Sequence, residues 1–134
     1  MIVKNPDAHL LRDLLDEARI STKKDEDGDL MTILSADDDF PHDVFVWYIV
    51  DESWLTVIVR SFDYKLDDPV AVANDYNVSH RGVACVGEPE KGTIFFKFAY
   101  LLDEEVSTEY ILENCIKFST SCGWRSFVDI YSGK

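Results

Sequence analysis

The sequence predicts an α+β fold, a single domain over residues 1–134 in which an antiparallel sheet packs with helices in the order α-β-β-β-α-β-β-α. Three observations carry this. Runs of β-branched and aromatic residues come in pairs joined by short turn segments, the grammar of hairpins rather than crossovers. Segments with helical spacing of apolar residues, each opened by a capping signal, stand before, between and after those pairs. At 134 residues the chain has room for one core and not for two.

The first helix is expected to start at Asn5 as cap, with Pro6 in the first helical position and Asp7 at the positive end of the dipole. Leu10, Leu11, Leu14, Leu15 and Ala18 then form one stripe, opposite Arg12, Asp13, Asp16 and Glu17. From Leu30 the pattern turns to strands. "LMTILS" is the first; "VFVWYIV" (44–50) and "WLTVIVR" (54–60) are the next two, joined by Asp51, Glu52 and Ser53 as a hairpin. The acidic run Asp37, Asp38, Asp39 with Pro41 marks the loop before that hairpin.

Asp68 followed by Pro69 repeats the helix-start signal, and Val70, Ala73 and Tyr76 make a short second helix ending near Asn77. "GVACV" and "TIFFKFAYLL" are the last strands, joined by turn residues from Gly87 to Gly92. The final helix starts at Ser107, with Glu109 in its first turn and Val106 placed to pack on Ile111. Its expected apolar stripe is Ile111, Cys115, Phe118 and Cys122, interrupted at Gly123. Helical spacing resumes over Trp124, Phe127, Val128 and Tyr131, a short strand over Phe127 to Ile130 being the alternative.

Composition narrows the function classes. Apolar residues are 46% and aromatics 13%, enough for a packed globule. With 13 basic and 26 acidic residues the formal charge is −13, which opposes binding to nucleic acid or to anionic lipid. It suits basic or amphipathic segments of other proteins, although a solvated acidic surface is the simpler reading. The start of the chain lacks a signal-peptide pattern, and the longest clean apolar run, Val44 to Val50, is far too short for a membrane span. Cys85, Cys115 and Cys122 form no C-x-x-C pair and read as reduced core thiols, so a cytoplasmic location is expected.

One stretch, "KDEDGDL" (24–30), opens like a calcium loop, with Asp25, Asp27 and Asp29 at its first, third and fifth positions. The sixth position is Leu30 where glycine is needed, and the twelfth is Ala36 where a bidentate glutamate is needed. A strand follows where a helix belongs. The stretch is therefore expected to be a helix-to-strand turn, with Gly28 free to take positive φ, and no metal is required.

Other candidate chemistry is sparse. His9, His42 and His80 fall on three different elements without metal-site spacing, and there is no glycine-rich phosphate loop; no cofactor is expected. Asn74 and Asn77 share a face of the second helix, near His80 at its end, so a polar pocket for a small ligand or an enzyme is the alternative function. The competing reading gives both amides to backbone groups. Strand alternation sets Leu55, Val57 and Val59 on one apolar face, to be covered by helices. Trp54, Thr56, Ile58 and Arg60 form the other. The later strand divides into Ile94, Phe96, Phe98 and Tyr100 against Thr93, Phe95, Lys97 and Ala99. Trp54, Thr56, Ile58, Arg60, Phe95 and Lys97 are expected to form a protein-binding face, a homodimer being one form, unless Trp124 to Tyr131 cover it.

The order of elements and the stretch "PVAVANDYNVSHRGVACVGEPEKGTIFFKFAYLLDEEVSTEYILENCIKF" resemble the YbjN family of bacterial proteins, as does the "DEDGDL" turn. The acidic loop at residues 36–43 and the segment after Gly123 depart from the pattern. The resemblance implies a fold similar to the type III secretion chaperones, which are small, acidic, usually dimeric cytoplasmic proteins that bind other proteins. It implies a non-enzymatic role, chaperone-like or in regulating sensory transduction.

Overall fold

The computed structural model describes residues 1–133. Strands β1 (Ile2–Val3), β2 (Lys23–Lys24), β3 (Leu30–Leu34), β4 (Val44–Asp51), β5 (Trp54–Arg60), β6 (Ala84–Glu88), β7 (Thr93–Leu101) and β8 (Val106–Ser107) alternate with helices α1 (Ala8–Glu17) and α2 (Pro69–Ser79). A last helix, α3, is α-helical over Thr108–Tyr110, widens to a π-helix over Ile111–Lys117 and returns to α over Phe118–Ser132. Six strands make one antiparallel sheet in the order β2-β3-β4-β5-β7-β6, and β1 pairs with β8 apart from it. The expected α-β-β-β-α-β-β-α order is this arrangement without the three two-residue strands.

Local chemistry explains most boundaries. The α1 cap is Asp7, not Asn5: its carboxylate accepts the Leu10 amide at 2.9 Å and its carbonyl accepts that of Leu11. Asn5 instead takes positive φ (51°) in the preceding turn, which lets the helix begin with Leu11, Leu14 and Leu15 facing inward. Asp68 caps α2 as expected, but the helix runs to Ser79, beyond Asn77, and Val70 points outward. Ser107 caps α3 through the Tyr110 amide.

Helices α1, α2 and α3 all contribute to a single core with one face of the sheet. That face presents Leu30, Val46, Tyr48, Val57, Val59, Phe96 and Phe98, all within 2% of complete burial. Strand register sets these residues side by side: Leu30, Tyr48, Val57 and Phe98 form one row across four strands, and Val46, Val59, Phe96 and Cys85 another. Burial removes the Cys85 and Cys115 thiols from chemistry, pushing them up to about 12 and about 11.

The phase of α3 differs from a simple 3.6-residue stripe. Ile111, Cys115, Ile116, Ser119, Gly123, Ser126 and Phe127 are buried, whereas Phe118 is 53% exposed. The wider π turn advances the helix by an extra residue between Ile111 and Ile116, so every later position rotates. Gly123 does not interrupt the helix. It lies close against Val59 of the sheet, and the stretch from Phe127 to Ile130 is helix rather than strand. Three tyrosines fasten α3 to the rest of the core through its small hydroxyl residues. Tyr48 reaches Thr120 at 2.7 Å, Tyr100 reaches Ser119 at 2.7 Å and Tyr76 reaches Ser126 at 2.8 Å.

The acidic loop contributes to the core as well. Asp37 closes a turn by accepting the Asp39 and Phe40 amides, and Phe40 drops into full burial against Tyr64, Trp124, Phe127 and Tyr131. Among the described residues no helix is long and apolar enough to cross a membrane.

Candidate functional site

Among the described residues the second face of the sheet carries no helix. Its rows run Lys23, Met31, Trp47, Ile58, Lys97, Ala84 and Ile33, Phe45, Arg60, Phe95, Val86, with Ile49, Thr56, Ala99 and then Asp51, Trp54, Leu101 beyond them. Strand alternation therefore brings Trp54, Thr56, Ile58, Arg60, Phe95 and Lys97 onto one surface. The segment Trp124 to Tyr131 lies on the opposite face: the Phe127 and Phe96 ring centroids are 4.8 Å apart and Trp124 packs edge-on against Phe40. Trp54 is 46% and Leu101 52% exposed; Thr56, Ile58, Arg60 and Phe95 are half-buried by one another, and Lys97 is exposed.

Two features stiffen this face. Phe62, just beyond β5, folds back over Phe45 and Trp47, with ring centroids 5.3 and 6.1 Å away. Arg60 lies between Phe62 and Phe95, its guanidinium 4.9 and 5.0 Å from the two ring centroids. It pairs with Glu88, which also receives the Thr93 hydroxyl at 3.2 Å and lies 3.3 Å from the Lys91 ammonium. Burial among the rings lowers the Arg60 pKa. The centre of the face is thus broadly apolar, with Lys97 and Lys23 as free cations among the described residues, Asp51 at its far end and Arg60 already neutralised.

The alternative polar site does not assemble. Asn77 donates to the Cys85 carbonyl at 2.9 Å and accepts the Cys85 amide at 2.8 Å, acting as a strand partner for β6. His80 stacks on the Tyr76 ring at 3.8 Å, its Nδ1 beside the Tyr76 carbonyl, while Asn74 is an exposed position on α2. His42 belongs to the aromatic cluster around Phe40, and His9 is exposed near Asp13. Each histidine has different surroundings.

The "KDEDGDL" stretch joins β2 to β3, so it is a strand-to-strand turn and not a helix-to-strand one. Asp25 organises it: Oδ1 accepts the Asp27 and Asp29 amides at 3.0 and 2.9 Å, and Oδ2 accepts the Trp47 indole N–H at 3.1 Å. Gly28 takes φ of 85° at the tip. Carboxylate oxygens of Asp25, Asp27 and Asp29 lie within 4.8 Å of one another. Burial, then Asp25 and Asp27, raises the Asp29 pKa. Asp25 is already engaged with the chain through both oxygens.

Comparison with protein-family models, with curated proteins and with solved structures finds no match. The reading of function thus rests on the surfaces themselves. Phe62 and Trp47, central to the open face, were outside the residues singled out from sequence, although the alternation within "VFVWYIV" already put Phe45, Trp47 and Ile49 together.

Proposed function

We propose that the chain is a non-enzymatic protein-binding module of the cytoplasm, YbjN-like and either chaperone-like or regulatory, acting through its uncovered sheet face. The observation that carries this is the set Trp47, Ile58, Phe95 and Trp54, from neighbouring rows on one face of a six-stranded sheet whose other face holds the helices of the described residues. Solvated antiparallel faces ordinarily alternate to polar residues; this one is aromatic and aliphatic with a neutralised arginine. Such a surface resembles the centre of an interface, where aromatics and arginine are enriched and free charge is sparse.

The occupant proposed is a second copy of the chain. The −13 charge opposes close approach of two copies over most orientations. On the open face the two rows that span β3 to β6 carry no acid and Glu88 is paired with Arg60, while Asp51 lies at the far end of the face beside Trp54. Two copies meeting over those two rows bury apolar residues and leave Asp51 at the rim. Light scattering on wild type and Trp54→Asp tests this. A wild-type dimer that dissociates in the variant supports the reading; a wild-type monomer, or a variant dimer unchanged, removes it.

A further inference from the structure

A second surface, separate from the open face, runs along the outer edge of the sheet. Strand β3 pairs with β4 over its whole length but with β2 only at Leu30 and Met31. Alternate residues of an antiparallel strand turn their N–H and C=O groups to opposite sides. From Thr32 onward, no strand among the described residues receives those groups on the β2 side. Where Ser21 and Thr22 diverge from β3, a gap of about 300 Å³ opens against Met31, Thr32 and Ile33. The Thr22 hydroxyl beside it is buried without a hydrogen-bond partner.

The free edge continues into an open groove of about 840 Å³ between the end of β3 and α3. Ile33 and Leu34 form one wall; Phe118, Cys122 and Trp124 form the other. Phe118 is there because the π segment rotates it out of the core. Past Trp124 the groove meets a hollow of about 460 Å³ lined by Asp38, Asp39, Asp129, Tyr131 and Arg125, three carboxylates against one guanidinium. Among the described residues none of these three aspartates is in an ion pair. An aromatic ring flanked by carboxylates is chemistry for an ammonium or guanidinium group.

We propose that this groove takes an extended basic peptide segment of another protein, added as a strand to the free edge of β3. The peptide backbone pairs with Thr32 to Leu34, an apolar side chain enters between Leu34 and Phe118, and a following lysine or arginine reaches the Asp38, Asp39 and Asp129 end. The charge argument selects this occupant. A second copy of a −13 chain would bring acid to acid at that end, whereas a basic segment is drawn to it. This inference does not depend on the dimer.

Fluorescence anisotropy with a labelled decapeptide of alternating valine and lysine is the test. Two control peptides accompany it: one of alternating valine and glutamate, and the valine–lysine peptide N-methylated at every residue. The methylated form keeps side chains and charges but has no N–H to pair. Saturable binding of the first peptide is expected, weakened about tenfold or more by N-methylation, by Phe118→Ser and by the pair Asp38→Asn and Asp39→Asn. The valine–glutamate peptide should not bind, and Trp54→Asp should bind like wild type. All substituted positions are exposed, and circular dichroism checks that each variant is folded. Absence of binding, equal binding of the methylated peptide, or wild-type affinity in Phe118→Ser would overturn the proposal.

Discussion

Gly123 of α3 sits so close to Val59 of β5 that a Cβ on the glycine would lie 2.6 Å from the valine Cγ2. Val59 is fully buried, and this close approach brings Phe127 within 4.8 Å of Phe96. Gly123→Ala should therefore destabilise the fold. Overpacking costs about 1–3 kcal/mol, which outweighs the roughly 1 kcal/mol that alanine gains over glycine in a helix. Urea denaturation should show a lower midpoint, partly recovered when Val59→Ala is added. An unchanged midpoint in the single variant would contradict the packing described.

Tyr48 is the most deeply buried of the three tyrosines that hold α3. Thr120 donates its hydroxyl proton to the Ile116 carbonyl at 2.8 Å, so it is the Tyr48 hydroxyl that donates to Thr120. Thr120→Val leaves that donor buried and unpaired, at a cost of about 1–3 kcal/mol in denaturant unfolding. A Thr120→Ser variant, which keeps the acceptor, should lose much less.

Alkaline unfolding follows from the same burial. Tyr48 is raised from 10.0 to about 12, mainly by burial, and Cys85 and Cys115 from 9.0 to about 12 and about 11. All three hold their protons more tightly in the folded state. Their contribution is complete below about 9, where both states are protonated, and is lost as the pH rises through the folded values. Stability measured by denaturant should fall progressively between about pH 9 and pH 12. A flat profile across that window would contradict the burial of these groups.

Much of this architecture was legible in the letters. The β-branched runs located the long strands, and the proline-after-aspartate signal located α2. Strand parity alone separated Leu55, Val57 and Val59 from Trp54, Ile58 and Arg60. What escaped was set by contacts between distant segments. Nothing local announces that a π turn will rotate Phe118 out, or that Gly123 is small because Val59 is beneath it. Phe40 hides in an acidic loop, where polarity argues for solvent, and apart from His42 the rings that pack on it lie more than twenty residues away. The short strands β1, β2 and β8 carry too few residues to show a period. The groove joins residues near 33–39 with residues near 118–131, so no window of sequence contains it.

Arg60 offers a test of the open face as structure. Its guanidinium packs between Phe62 and Phe95 and neutralises Glu88, with the two side chains 17% and 20% exposed. Arg60→Ala removes the packing and leaves Glu88 without its nearest cation, which should lower stability by about 1–3 kcal/mol given partial solvent screening. Arg60→Met keeps the stem between the rings and should lose less. Equal losses in the two variants would show that packing against the rings contributes little.

Asp25 should behave as a turn fastener. Asp25→Ala loses the acceptor for two amides and for the Trp47 indole, so thermal stability should drop and tryptophan emission should change. Isothermal titration of the wild type with calcium at millimolar concentration should give no heat of binding. A saturable calcium signal lost in Asp25→Ala would return the loop to a metal-binding role.

The open sheet face is tested by its state in solution. Light scattering coupled to gel filtration should give the mass of two chains for wild type and of one for Trp54→Asp, with matching circular dichroism. A wild-type mass of one chain, or a dimer that survives Trp54→Asp, would contradict pairing through this face.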